Sequence, residues 1–269
     1  MFRSVRRRGV LCLFSGVLLS LSFAQDLKAQ NFQGFYIGGY VGGAFGHSDV
    51  NTTAAIDNSA PGFSYLFPAD IPAIAAAGDK SLSPAGLSAG GQVGYNHQVS
   101  NIVFGIEFDY GVMKLRDEVS ETVHYPDPGY QQFTFTILQR VRSGWLFTAR
   151  PRVGYAAGRW LLFGTGGYAL TGIDSIGVFL DDYDFARANV PVAIDYRGGW
   201  AAGGGAEYRI SRFSIKGEYL YTNFGDMSAT TRNLVVGFDS PPNPIPRNPF
   251  THTTNLSANI LRAGLNFHF

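Results

Sequence analysis

Ile102-Val103-Phe104-Gly105-Ile106-Glu107-Phe108-Asp109-Tyr110 is the stretch on which the fold turns. Its even positions, continued by Val112, are all large and apolar, while the odd positions include Gly105, Glu107, Asp109 and Gly111. Successive side chains of a strand point to opposite faces, so this segment has one face suited to hydrocarbon and one carrying carboxylates. Strands of globular domains usually run about 5–6 residues. An alternation that persists for about ten has the length a tilted strand needs to cross a bilayer.

Outward from this strand, Phe133 to Tyr155 repeats the pattern with opposite parity. Phe133, Phe135, Ile137, Val141, Trp145, Phe147, Val153 and Tyr155 occupy odd positions; Thr134, Thr136, Arg140, Arg142, Thr148, Arg150 and Arg152 occupy even ones. The run exceeds what a bilayer requires, so part of it should project beyond the membrane. Five further segments fit less cleanly: Phe35–Phe45, Leu87–His97, Trp160–Thr171, Gly199–Ile210 and Phe213–Asn223. The last is Ser257–Phe269, where Leu261, Ala263, Leu265, Phe267 and Phe269 alternate with Arg262, Asn266 and His268. Eight strands result.

The connections alternate in length. Gln98–Asn101, Ala156–Arg159 and Ser211-Arg212 are short, whereas the stretch from Gly46 to Gly86 and three later connections are long. Short periplasmic turns and long extracellular loops produce this rhythm in a closed antiparallel transmembrane β-barrel. Strands in hydrocarbon must pair every backbone group, so the sheet has to close on itself. Tyr36, Tyr95, Trp145, Tyr155, Trp160, Trp200, Tyr208, Tyr219 and Tyr221 lie near strand ends and are expected in the interfacial girdles. Pro151 cannot donate to a ladder, so a bulge or a locally broken hydrogen bond is expected there.

Composition agrees with an envelope protein. The 269 residues include 34 Gly, with 14% aromatic and only 15% charged side chains. Four of the 21 basic residues (Arg3, Arg6, Arg7 and Arg8) fall in the first eight positions, and the remaining 17 face 20 acidic ones. No basic stripe remains for nucleic acid. The arginines, the apolar run Gly9–Phe23 and the exit Ser22-Phe23-Ala24 read as a secretory signal peptide over residues 1–24, with cleavage after Ala29 as the alternative. Residues 25–269 then form the barrel domain. Cys12, the only cysteine, lies in the signal, so the exported chain has no disulfide to rely on.

Several segments resemble the alphaproteobacterial outer-membrane β-barrel surface-antigen family, whose members are often described as small porin-family proteins. They are Gly34–Gly39, Ala149–Tyr155, Leu162–Ala169, Gly217–Tyr221 and the terminal Leu261–Phe269. Phe32 stands where many relatives have Trp. The resemblance implies an eight-stranded barrel in the cell outer membrane, with outer-membrane lipid and the barrel-assembly machinery as partners. The terminal Leu265, Phe267 and Phe269 are similar to the signal that machinery recognises in its clients.

The assigned parity places Glu107, Asp109, Glu207 and Glu218 in the lumen with Arg140, Arg142, Arg150, Arg152, Arg209, Lys216 and Arg262. An eight-stranded barrel is just wide enough for its own side chains. Charges there are expected to pair as a structural plug; seven bases against four acids also allow a narrow, weakly anion-preferring pore. Gly203-Gly204-Gly205 and Gly164-Thr165-Gly166-Gly167 lack the following Lys-Ser/Thr and helix of a phosphate loop. His47, His124 and His252 fall in or beside expected outer loops, with Asp49 near His47, which leaves a rim enzyme or haem binder as a minor reading. No motif names a cofactor or a catalytic residue. In loop one, Asp70–Gly78 reads as a short helix, and Pro241–Pro246 reads as extended, solvated chain. A non-enzymatic structural or surface protein is the leading expectation, and a small-solute channel the alternative.

Overall fold

The computed structural model describes residues 31–237 and 244–269; the expected signal peptide and Pro241–Asn243 lie outside the described residues. The strands are β1 (Gly34–Ala54), β2 (Asp79–Leu82), β3 (Ala85–Val99), β4 (Ile102–His124), β5 (Thr134–Ala157), β6 (Trp160–Asp181), β7 (Arg187–Ile210), β8 (Phe213–Thr231) and β9 (Phe250–His268). One helix, α1 (Asp70–Ala77), lies between β1 and β2. The order β1-β3-β4-β5-β6-β7-β8-β9 is antiparallel throughout and closes by pairing β1 with β9, for example Gly39 opposite Leu265. β2 continues β3 in the same register along β1 and is separated from it by Ser83-Pro84. Proline has no backbone donor, which explains why the ladder is interrupted at that point.

The eight crossing segments match the eight expected, but the strands extend much further. Much of the sequence expected in long loops is strand, and only 125–133 separates β4 from β5 and 182–186 separates β6 from β7. The three opposite turns are tight: Ser100, Gly158 and Ser211 each take a left-handed conformation, with φ of 55°, 59° and 58°. At about 3.3 Å per residue, strands of some 20 residues are roughly twice the length a bilayer crossing uses.

The two halves obey opposite rules. In the half next to the tight turns, outward side chains are apolar, including Phe35, Ile37, Phe104, Ile106, Leu162, Ile215 and Leu261. Rings edge this band on both sides. Trp160 and Tyr208 pack 4.8 Å apart near the turns, while Trp200 with Tyr221 (5.3 Å) and Tyr110 with Trp145 (6.1 Å) lie eight to ten residues further along their strands. Eight residues of strand tilted by about 40° span roughly 20 Å, close to the apolar band of outer-membrane barrels. In the far half the apolar side chains point inward, as Phe135, Ile137, Phe179, Val190 and Phe250 do, and Glu118, Ser120, Thr122, Thr230 and Thr251 face out.

Bulges mark the border. Ladder register shifts between Val112 and Leu115, Ser143 and Leu146, Thr171 and Ile173, and Asn223 and Asp226. A bulge sets two residues against one and reverses which face the following side chains take. β5 is the clearest case: Leu146, Thr148, Arg150 and Arg152 point in, and so do Phe135, Ile137, Gln139, Val141 and Ser143. The apolar odd positions of β5 were all expected on the lipid face; Phe135, Ile137 and Val141 instead line the interior of the outer half.

Two further local features follow backbone chemistry. Pairing of β5 with β6 skips Arg150 and Pro151 without a register shift, and the Thr165 hydroxyl donates to the Pro151 carbonyl at 2.9 Å. The β7–β8 ladder ends at Trp200 opposite Asn223; above it the Arg197 guanidinium donates to the Phe224 and Asp226 carbonyls, both at 2.8 Å.

Ile106 is 42% exposed on the lipid face, midway along the band of β4. Ile106→Arg should lower folding stability by about 2–4 kcal/mol near the midplane, read from denaturant unfolding in lipid vesicles. An unchanged midpoint would refute the outward assignment of β4's even positions.

Candidate functional site

The bilayer half of the lumen holds the densest polar chemistry of the chain. Its walls alternate, so each strand contributes inward groups at every second position: Glu107 and Asp109 from β4, Arg150 and Arg152 from β5, Glu207 from β7, Lys216 and Glu218 from β8, and Arg262 from β9. All are at least 96% buried. These eight of the expected lumen charges converge, four acids on four bases, with no net charge.

Arg150 is the hub. Its Nη2 lies 2.9 Å from Glu107 Oε1 and 2.8 Å from Asp109 Oδ2, and its Nη1 lies 3.0 Å from Glu218 Oε1. Lys216 Nζ donates to both Glu107 oxygens at 2.9 Å and to Gln92 Oε1 at 2.8 Å. Arg262 spans Glu218 (2.6 Å) and Asp109 (3.0 Å) and stacks over the Tyr40 ring at 4.2 Å. Arg152 reaches Glu207 at 3.3 Å and Asn96 Oδ1 at 2.9 Å, and lies over Tyr36 at 4.7 Å. Tyr36 donates to Glu107 Oε2 at 2.7 Å. His268 approaches Glu207 at 3.2 Å and Ser214 at 2.9 Å.

Three expected members are elsewhere. The bulge in β5 turns Arg140 and Arg142 to the outside of the barrel, and neither makes a salt bridge among the described residues. Arg209 stays near the periplasmic end, donating to the Ser211 carbonyl at 2.9 Å and lying over the Phe32 ring at 5.8 Å. The excess of bases that suggested an anion-preferring pore therefore does not exist in the network. Conversely, Tyr36, expected in a girdle, is fully buried in the lumen. Its parity with Tyr40, opposite to Phe35, Ile37 and Val41, was the available signal. Gly94 makes room for it: a Cβ there would sit 2.1 Å from the Tyr36 hydroxyl oxygen.

Apolar layers lie on both sides of the charges. Phe32, Val103, Ala156, Leu161 and Phe163 close the periplasmic end. Met113, Leu115, Leu146, Leu220, Phe224 and Ile260 belong to the cluster above. In the outer half, His252 is buried rather than in a loop, between Thr52 (2.9 Å) and Ser175 (2.8 Å). Burial pushes its imidazole down, to about 4, so it is neutral at ordinary pH. Helix α1 inserts Ile74 into the outermost apolar cluster, and its Asp70 accepts from the Phe67 amide at 2.8 Å rather than capping the helix. At the rim, Tyr125 donates to Asp181 at 2.7 Å, and Tyr65 donates to the same oxygen; burial and then Asp181 raise the Tyr125 phenol well above its ordinary range.

His47, Asp49 and Ser81 meet on the outer face of β1 and β2, yet in the wrong order for nucleophilic catalysis. Ser81 and His47 both contact Asp49 Oδ1, at 2.6 and 3.3 Å, so the carboxylate sits where a triad needs the imidazole. His124 lies apart, its Nδ1 2.8 Å from the Gln131 carbonyl. Among the described residues no group of three or more His, Cys, Asp or Glu is arranged to hold a metal ion. At the end of β9, Leu265 and Phe269 face out, 55% and 76% exposed, with Phe267 on the same face against Phe213 and Phe269.

A ring of antiparallel strands, closed by β1 pairing with β9 and carrying an apolar band between two aromatic girdles, defines an integral membrane β-barrel. The chain belongs to the outer membrane protein beta-barrel domain family, whose model matches residues 14–239. It is 32% identical over 138 residues to a 22 kDa outer membrane protein of Rhizobium leguminosarum bv. viciae, covering 50% of this chain and about half (52%) of that protein. Among solved structures it is similar to Neisserial surface protein A (10% identity, 86% of this chain and 97% of that one, TM-score 0.30). It is also similar to the outer membrane protease OmpT of Escherichia coli (9% identity, 88% and 97%, TM-score 0.35). By its family, the protein is an integral outer-membrane barrel of the Gram-negative envelope, in contact with membrane lipid.

Removing Arg150 would leave Glu107, Asp109 and Glu218, all buried, short of their shared partner. Arg150→Met should therefore cost about 3–5 kcal/mol, the range for breaking a buried ion pair on one side only, measured by urea unfolding in detergent micelles. A loss below about 1 kcal/mol would mean that water reaches these carboxylates.

Proposed function

We propose that this protein is a non-conducting, non-enzymatic surface barrel whose lumen is a structural core and whose outward loops carry its envelope role. The observation behind this reading is the neutral, fully buried charge network between two apolar layers. Every acid in it is engaged by a base, so none is available as a general acid or base, and no spare charge lines a path for an ion. Ions crossing would have to displace Arg150 from three carboxylates at once. Single-channel recording of the folded protein in a planar bilayer should show no steady open level; a reproducible conductance would favour the channel and overturn this reading.

Biogenesis forms part of the same proposal. We infer that residues 1–24 are removed on export and that Leu265, Phe267 and Phe269 form the segment read by the barrel-assembly machinery. β9 must find β1 to remove both sheet edges, and the Phe269 amide donates to the Phe35 carbonyl at 3.0 Å where the two ends meet. Deleting Phe269 should sharply reduce the outer-membrane form that begins at Gln25 and shows a heat-modifiable gel shift. His268→Ala, which leaves Glu207 with Arg152, Ser214 and Asn266, should insert nearly as well as wild type. The reverse pattern would mean the inward side chains of β9, not its lipid face, carry the signal.

A further inference from the structure

We propose that a groove on the outside of the barrel, where β4 to β7 pass the bulge border, binds the phosphorylated headgroup of an outer-leaflet lipid through Lys114, Arg116 and Arg142. The groove has a volume of about 820 Å³, and Tyr110, Trp145 and Tyr196 line it together with these cations. It sits at the upper aromatic girdle, so its lower edge meets acyl chains and its upper edge meets headgroups. That placement rests on the orientation of the barrel and not on whether the lumen conducts.

The charges in the groove are arranged as if a partner were missing. Arg116 and Arg142 are direct cross-strand neighbours, a pairing of like charges that is unfavourable on a strand face. Lys114 lies within the bulge that separates Val112 from Leu115. None of the three side chains makes a hydrogen bond or salt bridge to a described residue, and the Arg142 Nε is buried without a partner. Asp174 is the one carboxylate among the lining residues; it is the cross-strand neighbour of Arg142, yet the two form no ion pair within 4 Å. Three cations against one carboxylate select an anion, and guanidinium forks match the oxygens of a phosphate. The rings beneath supply an amphipathic surface for the glycan or glycerol portion and the first methylenes of the chains. A lipid satisfies both edges at once, which a free phosphate cannot.

The bulge in β5 creates the site. Without it Arg142 would continue the inward parity of Arg150 and Arg152; with it the side chain emerges at the membrane border.

The test uses the full-length folded protein in phosphatidylcholine vesicles containing either diphosphorylated lipid A or its dephosphorylated form. After gentle detergent extraction, retained lipid is weighed by native mass spectrometry, with the heat-modifiable gel shift confirming the fold of every variant. Wild type should keep one phosphorylated lipid, release the dephosphorylated one, and hold its lipid against excess inorganic phosphate. The triple variant Lys114→Gln, Arg116→Gln, Arg142→Gln should lose retention at least about tenfold as its charge-assisted contacts go. Asp174→Asn, which removes the opposing carboxylate, should raise retention and gives an arm that survives if the triple variant fails to fold. Equal retention of the dephosphorylated lipid, unchanged retention by the triple variant, lower retention by Asp174→Asn, or displacement by inorganic phosphate would each overturn the proposal.

Discussion

Backbone amides in hydrocarbon have no water to fall back on, and the rest of this structure follows from that constraint. Each unsatisfied group costs several kcal/mol, so strands that cross a bilayer must end paired on both sides. Here the requirement is met by β9 returning to β1, with register running from Tyr36 opposite His268 to Ala54 opposite Phe250. Closing eight strands fixes a narrow bore, and a narrow bore must be filled by the side chains the strands themselves supply. Closure is needed only where there is lipid: the β7–β8 ladder stops at Trp200 and Asn223, the girdle level, and side-chain bonds from Arg197 take over above it.

Alternation then makes the interior of the bilayer half polar, because its exterior must be apolar. Burying eight charges is costly in itself, and their mutual attraction offsets that cost only with near-complete hydrogen bonding. The lumen meets this condition by meshing the ions with neutral groups: Tyr36, Thr148, Gln92, Asn96 and Asn266 occupy sites that the ions leave open. The same alternation keeps every crossing segment only about half apolar. No stretch of the exported sequence approaches the roughly 20 apolar residues that would lodge as a helix in the inner membrane.

How much of this could be read in advance depended on whether a strand kept one parity. Ile102–Tyr110 was legible because its lipid-facing even positions and inward Glu107 and Asp109 lie wholly within the bilayer half. Arg150 and Arg152, Lys216 and Glu218, and Arg262 likewise sit within the bilayer half, where each strand keeps one parity and the structure buries them. The outer part of β5 was misread because its apolar residues stay on odd positions throughout while the meaning of that face inverts. Beyond the membrane an apolar side chain belongs inside, and the bulge near Gly144 turns Phe135, Ile137 and Val141 inward without breaking the sequence period. Bulges leave little trace in sequence: those here fall at residues as different as Met113-Lys114, Gly144-Trp145 and Phe224-Gly225. The length of the strands was obscured likewise: threonines and serines on the wet face of β8 and β9 read as loop.

The bulge border is best understood as the place where two barrels of opposite polarity are joined end to end. One has a charged core and a lipid coat, the other an apolar core and a wet coat, and the strands run through both. At the junction each strand must exchange its apolar face. β4 does so in sequence, moving its large apolar residues from even positions up to Val112 to odd positions from Met113 onward. β5, β7 and β8 keep the apolar parity and shift the backbone instead, so Val190 and Val192 point in while Trp200 and Tyr208, also even, point out. Neighbouring strands that use different solutions cannot stay in register across the junction, which is why the ladder shifts fall between β4 and β5, β5 and β6, β6 and β7, and β8 and β9, whereas β7 and β8, which share a solution, pair without a shift. The irregularity is therefore a geometric consequence of the membrane boundary, and the side chains it releases, Arg142 foremost, emerge at the level of the outer-leaflet headgroups.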